Sequence, residues 1–278
     1  MAVLCAHTNL DRAAPGLNDW LAERVGLMDI SPLAADRGGD LLKLVVFVPR
    51  GYEGAVADAL FKGGAGRIGN YDRCSFAAAG TGTFRPGAGT DPFLGRRGET
   101  ERAGEVRLET ILPREAQGKV LEKMLRAHPY EEVAYDLIPL ANRRPHVGLG
   151  RIGRLAQPAA LADFAAGVKT ALGAGSLRLV GDCARMVAKV AVCGGSGASL
   201  LGEAARQGAD VLVTGDLKYH EARSAEARGM AVIDAGHFAT EHLMIRGMAA
   251  ALRGEAERRG LNIEFIEMEG EEDPFKAV

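Results

Sequence analysis

Residues Met230-Ala231-Val232-Ile233-Asp234-Ala235-Gly236-His237-Phe238-Ala239-Thr240-Glu241 decide the fold of this chain. The apolar run Met230 to Ile233 reads as a buried strand. Gly236 turns the chain, and Ala239 to about Arg259 reads as a helix. A buried strand feeding a helix is the repeating unit of an α/β protein. His237 and Glu241 are four residues apart and project from one face of the helix's first turn. An imidazole and a carboxylate converging at a strand-to-helix junction suit a metal site. The same spacing also fits a first-turn Glu that complements the helix dipole beside a surface His.

Working outward, Val187 to Cys193 and Val211 to Thr214 are further near-continuous apolar strands, as expected where helices cover both sheet faces. Helices Ala198 to Gln207 and His220 to Arg228 alternate with them. Gly148 to Leu155 reads as a short strand, and Ala159 to Leu172 as a helix introduced by Pro158. At the other end, Ala2 to Ala6 reads as a buried-type strand. His7-Thr8-Asn9-Leu10-Asp11 and a helix from Leu17 to Val25 follow. The pattern predicts a mostly parallel sheet flanked by helices.

The middle of the chain differs. Nine of the 14 Phe and Tyr residues lie between Leu41 and Asn142, which argues for a module with its own core. Leu42 to Pro49, Arg73 to Phe84, Glu105 to Leu112 and Val133 to Leu140 read as strands. Glu53 to Lys62 and Ala116 to Ala127 read as helices, and Pro86 to Ala103 as a long Gly/Pro/Arg loop. The order β-α-β-β-α-β is that of a ferredoxin-like α+β module. The expected domains are residues 1–40 and 143–278, forming one α/β domain, interrupted by 41–142.

Composition narrows the function classes. The chain has 278 residues, is 47% hydrophobic and carries a formal charge of −2. The arginines are scattered, so no basic surface for nucleic acid is expected. No apolar run reaches the roughly 20 residues that span a bilayer. The N-terminus lacks a basic region followed by an apolar stretch, so a secretory signal is not read there. Cys5, Cys74, Cys183 and Cys193 are far apart and are expected to be reduced thiols of a cytoplasmic protein. Cys193 in Cys-Gly-Gly-Ser is also a candidate nucleophile. Gly194 to Gly197 fits either a tight turn or a phosphate cradle, although it lacks the Lys-Ser/Thr of a P-loop.

Several motifs together resemble one family. His7-Thr8-Asn9-Leu10-Asp11 with Gly16-Leu17-Asn18-Asp19, Gly194-Gly195-Ser196-Gly197, Thr214-Gly215-Asp216-Leu217-Lys218-Tyr219-His220, and Gly236-His237-Phe238-Ala239-Thr240-Glu241 are similar, in order, to motifs of the NIF-three-like dinuclear-metal family. Many of its members are labelled GTP cyclohydrolase I type 2 homologues. Ala65-Gly66-Arg67-Ile68-Gly69-Asn70-Tyr71 and His128-Pro129-Tyr130-Glu131-Glu132 resemble the PII/CutA-like insertion of longer members.

The resemblance implies Asp11, His237 and Glu241 as metal ligands, with zinc, manganese or iron as the ion and two ions per subunit. It implies a metal-dependent hydrolase that opens the imidazole ring of GTP, or of a related small substrate, by metal-bound hydroxide. It also implies a homo-hexamer with a small-molecule partner; composition and charge add the expectation of a cytoplasmic protein with neither nucleic acid nor membrane as partner. A second function class is a non-catalytic, metal- or metabolite-sensing hexameric scaffold acting through the inserted module. Family members carry a further N-terminal segment whose His-His pair supplies two more ligands, and the present sequence starts after it. Three protein ligands cannot fill two coordination spheres, so a chain with these alone is expected to hold one weakly bound ion or none. His7 is a candidate partner of a metal ligand or a strand-end His. His220 is a candidate neighbour of the site or a helix cap, and His242 is expected to point about 100° away from Glu241.

Overall fold

The computed structural model describes residues 2–35, 38, 40–144 and 146–276. In chain order the elements are α1 (Thr8–Arg12), α2 (Leu17–Arg24), β1 (Met28–Ala35), β2 (Leu41–Pro49), α3 (Glu53–Gly63), β3 (Ser75–Phe84), β4 (Glu101–Pro113), α4 (Gln117–Ala127) and β5 (Tyr135–Leu140). Then follow β6 (Gly148–Ala160), α5 (Leu161–Leu172), β7 (Arg178–Val180), β8 (Met186–Ser196), α6 (Leu201–Arg206), β9 (Val211–Gly215), α7 (Tyr219–Ala227), β10 (Ala231–Asp234), α8 (His237–Glu241) and α9 (Met244–Arg258). The chain divides into two compact units, Met1–Ala35 with Pro145–Val278, and Asp36–Arg144.

The first unit is built on a six-stranded sheet of order β1-β6-β8-β9-β10-β7. Strands β8, β9 and β10 run parallel, with Val192 beside Val213 and Val213 beside Ile233. Their apolar runs are continuous because alternate residues enter different cores. Val190, Val192, Val211, Val213 and Ile233 face α2 and α5 through Leu21 and Phe164. Ala191, Cys193, Leu212 and Val232 face α6 and α7 through Leu201, Ala204 and Ala225. Helices thus cover both faces, as the apolar runs predict.

The sheet is mixed, which corrects the expectation of a mostly parallel one. Strands β1, β6 and β7 join it antiparallel, so parallel pairing is confined to β8-β9-β10, where α6 and α7 make the crossovers. Strand β6 continues past Pro158 to Ala160. The register of β6 against β8 is irregular between Arg154 and Ala159, and a residue without an N–H is accommodated at such an irregularity.

Two further expectations are overturned in this unit. Residues 2–6 form no strand; they are exposed, with Leu4 96% accessible. The predicted helix from Ala239 to Arg259 is two helices. At their junction the backbone pairing tightens to Ile245 N–H on the His242 carbonyl.

Arg151 on β6 is 1% exposed and fully partnered. Its Nε meets Asp19 Oδ1 at 2.5 Å and its Nη2 meets Asp19 Oδ2 at 2.8 Å, while Nη1 donates to the Gly148 and Gly150 carbonyls. The two-pronged pairing fixes the start of α2 on the sheet. Asp19 also accepts from the Gly16 N–H at 2.9 Å, capping that helix.

The second unit is a four-stranded antiparallel sheet of order β3-β4-β2-β5 with α3 and α4. This is the ferredoxin-like arrangement that the element order implies. Leu42, Leu44, Val46 and Val48 alternate inward from β2 against Val56 and Leu60 of α3 and Val120 and Met124 of α4. Gly64 ends α3 in a left-handed conformation, φ 113°, that a side chain would strain.

Candidate metal centre

The carboxyl ends of β8, β9 and β10 lie side by side and release the chain at Gly197, Asp216 and Ala235. That edge is where α/β sheets assemble ligand sites. Gly236 adopts φ 83° and lets His237 open α8 directly above the strand. His237 Nδ1 lies 2.6 Å from Asp216 Oδ2. His237 Nε2 lies 3.2 Å from Glu241 Oε1, the i, i+4 contact expected on one helix face.

These contacts set the chemistry. A carboxylate on Nδ1 fixes the proton there and leaves the Nε2 lone pair facing Glu241. Two acceptors 3.2 Å apart need a proton or a cation between them. His237 is accordingly shifted above its usual pKa, first by the hydrogen bond to Asp216 and further by the charge of Glu241. A divalent ion can take the place of that proton.

Asp11 reaches the site by another route than expected. It sits in α1, not after a strand. The fully buried Asn18 donates Nδ2 to the Asp11 carbonyl at 2.9 Å, and its Oδ1 accepts from the Gly194 N–H at 2.9 Å. Burial raises the Asp11 carboxyl pKa, and the negative charge of Glu241 raises it further, while His7 and His237 oppose the shift. Asp11 therefore stands within electrostatic reach of both His237 and Glu241. Among the described residues, no three His, Cys, Asp or Glu side chains are close enough to hold one ion. The preformed part is the His237/Glu241 pair. Imidazole nitrogen with carboxylate oxygen is a donor set that fits a borderline divalent ion.

Gly195 makes room for this pair. Its φ is 59°, and a Cβ there would collide with Glu241 Oε1 and lie 3.1 Å from the His237 ring. Gly194–Ser196 form the irregular end of β8 against β9, and the segment does not cradle phosphate. The N–H groups of Gly194, Gly195 and Gly197 already donate to Asn18, Thr240 and Thr214. Cys193 is no nucleophile either. It is buried, and burial with the nearby charges of Asp11 and Glu241 pushes its thiol up to about 12.

The other histidines divide as follows. His7 occupies the N-cap position of α1 and helps charge-balance Asp11. His220 is exposed and contacts Tyr219. His242 stacks on Phe238 and faces Glu271 at 3.5 Å. Asp216 is the residue that sequence reasoning missed. It lies in the quoted Thr214–His220 run, and its φ of 57°, tolerated by Asp, is a signal visible only in the fold. Among the described residues no helix is long and apolar enough to cross a membrane.

The Duf34/NIF3 (NGG1p interacting factor 3) description matches residues 1–274. A Halalkalibacterium halodurans protein named GTP cyclohydrolase 1 type 2 homolog is 42% identical over 278 residues, 100% of this chain and 74% of the relative. A Bacillus subtilis protein of the same name is 43% identical over 275 residues, 99% of this chain and 74% of the relative. The crystal structure of a Bacillus cereus protein related to NIF3 superposes with a TM-score of 0.81 at 43% identity, covering 98% of this chain and 72% of that one. Three motif-bearing strand ends, the His237/Glu241 pair they carry and these relatives agree: the chain belongs to the Duf34/NIF3 family.

Proposed function

We propose that His237 and Glu241, joined by Asp11, bind a divalent zinc, manganese or iron ion, and that the protein is a metal-dependent hydrolase of the kind its relatives' name describes. The substrate class is GTP or a related small molecule whose ring or ester bond is opened by water. The observation that carries the reading is the opposition of His237 Nε2 and Glu241 Oε1, with Asp216 holding the other ring nitrogen. When bound, a divalent ion supplies Lewis acidity and lowers the pKa of a coordinated water toward about 7. The chain's own residues do the rest. Asp216 keeps the Nδ1 proton in place and so orients the imidazole. Asp11 adds a carboxylate oxygen from α1 to the donor set.

Asp11, His237 and Glu241 are three protein donors, a set that suits one divalent ion. A cytoplasmic homo-hexamer is part of the same proposal, and a native mass that is not a multiple of three chains counts against it. The test is incubation of the purified chain with zinc or manganese and GTP. Formate release, lost in His237→Ala, supports the hydrolase.

A second reading is a non-catalytic sensor or scaffold acting through the PII/CutA-like module. A cavity in the second unit, lined in part by Phe84, Phe93 and Tyr130, favours it. No turnover, with saturable small-molecule binding that survives Asp11→Ala, selects this reading.

A further inference from the structure

The second unit contains a cavity that the metal reading does not use. Its volume is about 410 Å³, within the roughly 300–1,000 Å³ range of small-molecule sites. Strand β3 contributes Gly82 and Phe84, β4 contributes Glu105, the 86–100 loop contributes Phe93, and the segment after α4 contributes Tyr130. The rings of Phe84 and Tyr130 lie 5.8 Å apart, and those of Phe93 and Tyr130 lie 6.1 Å apart. Tyr52 packs edge-on against Phe93 at 5.5 Å.

Glu105 decides what such a cavity accepts. It is 8% exposed, and among the described residues no cationic side chain forms an ion pair with it. Its hydrogen-bond partner is the Tyr130 hydroxyl, which donates to Oε1 at 3.0 Å. Glutamate is rarely buried without a positive partner, because leaving water is costly for a carboxylate. The nearest imidazole does not supply one. His128 accepts the Tyr130 N–H on Nδ1 at 3.1 Å and faces the Phe47 carbonyl with Nε2 at 3.0 Å, and burial keeps it below its usual pKa.

The seat for Glu105 is built. A Cβ on Gly82 would collide with Glu105 Oε2. Glu131 accepts the Asp91 N–H at 3.0 Å and fastens the 86–100 loop beside the cavity. With Glu131 and Glu132 in the lining and Arg85 as its basic residue, the acidic side chains outnumber the basic one. Electron-rich ring faces around a buried carboxylate are the recognised chemistry of an ammonium site.

We propose that this cavity binds a small organic cation, an ammonium group on an apolar or aromatic body. Glu105 is its counter-ion, and Phe84, Phe93 and Tyr130 form its cage. The proposal is independent of the metal site, so either can fail without the other.

The test is calorimetric titration of the full chain with choline and with benzylammonium. The neutral isosteres 3,3-dimethylbutan-1-ol and benzyl alcohol serve as comparison probes. Saturable binding of an ammonium probe is expected, weakened about tenfold or more in Glu105→Gln, the scale of one lost charged contact. Phe93→Ala is the second variant; Phe93 is 45% exposed, so its removal leaves the core intact, and it should weaken binding as well. The absence of saturable ammonium binding, equal binding of the neutral isosteres, or unchanged affinity in Phe93→Ala each overturns the proposal.

Discussion

The Asn18 side chain donates to the Asp11 carbonyl and accepts from the Gly194 N–H, both at 2.9 Å, with no exposure to solvent. It is the tie between the N-terminal helix and the end of β8. Asn18→Ala removes both bonds and leaves buried polar partners. A loss of about 1–3 kcal/mol of stability is expected, the usual penalty for orphaned buried groups. Urea denaturation measures it. An unchanged midpoint contradicts the role given to Asn18.

Gly195 tests the packing of the site from the opposite side. Its positive φ, and the collision of an added Cβ with Glu241 Oε1, mean that Gly195→Ala must displace the carboxylate or strain the strand end. The variant should bind zinc more weakly than the parent in a competition assay with a chromophoric chelator. Gly202→Ala, where a Cβ meets nothing within 4 Å, should bind zinc as the parent does.

Asp216 acts through His237. The imidazole's folded pKa lies above its ordinary 6.5 chiefly because of the Asp216 hydrogen bond. The stabilisation from that pair is therefore fully present below pH 6.5 and disappears as pH rises through the folded value. Asp216→Asn tolerates the same left-handed backbone and removes the charge. NMR titration of the metal-free chain should show the His237 pKa falling. Zinc affinity should fall about 10- to 100-fold, as for other residues that orient a metal-binding His.

His128 gives the opposite sign in the second unit. Burial depresses its pKa below 6.5, so the native state resists a proton that the unfolded chain accepts. Its contribution to stability is intact above 6.5 and is lost as pH falls from there through the lower folded value. Urea titrations at about pH 5 to 7 should show a steeper acid loss for the parent than for His128→Gln. Equal slopes contradict the assignment.

Much of this architecture is legible in the sequence for one physical reason. Strands β8, β9 and β10 are buried on both faces, so Val190–Cys193, Val211–Val213 and Ala231–Ile233 are apolar without interruption. The ferredoxin-like order follows from the succession of apolar strands and amphipathic helices and from the glycines that end α3. Where burial is one-sided or short, the pattern misleads. Ala2–Ala6 is apolar yet exposed, since composition alone does not supply a pairing partner. Strand β1 carries Pro32 and a mixed burial pattern at the sheet edge, and β7 is three residues long; neither gives a periodic signal.

The site is half legible on the same grounds. His237 and Glu241 share a helix turn, so their contact is a local property of spacing. Asp216 meets His237 across 21 residues through a left-handed turn, and Asn18 bridges to Gly194 across 176. Such contacts come from the packing of strand ends, which no local pattern encodes.

The most direct measurement is zinc binding by the metal-stripped full chain, followed by calorimetry and checked by elemental analysis, alongside His237→Ala and Glu241→Gln. Saturable binding of about one ion is predicted, as three protein donors allow, lost in His237→Ala and weakened in Glu241→Gln. Binding that is the same in all three proteins, or no binding by the parent, contradicts a metal centre at this pair.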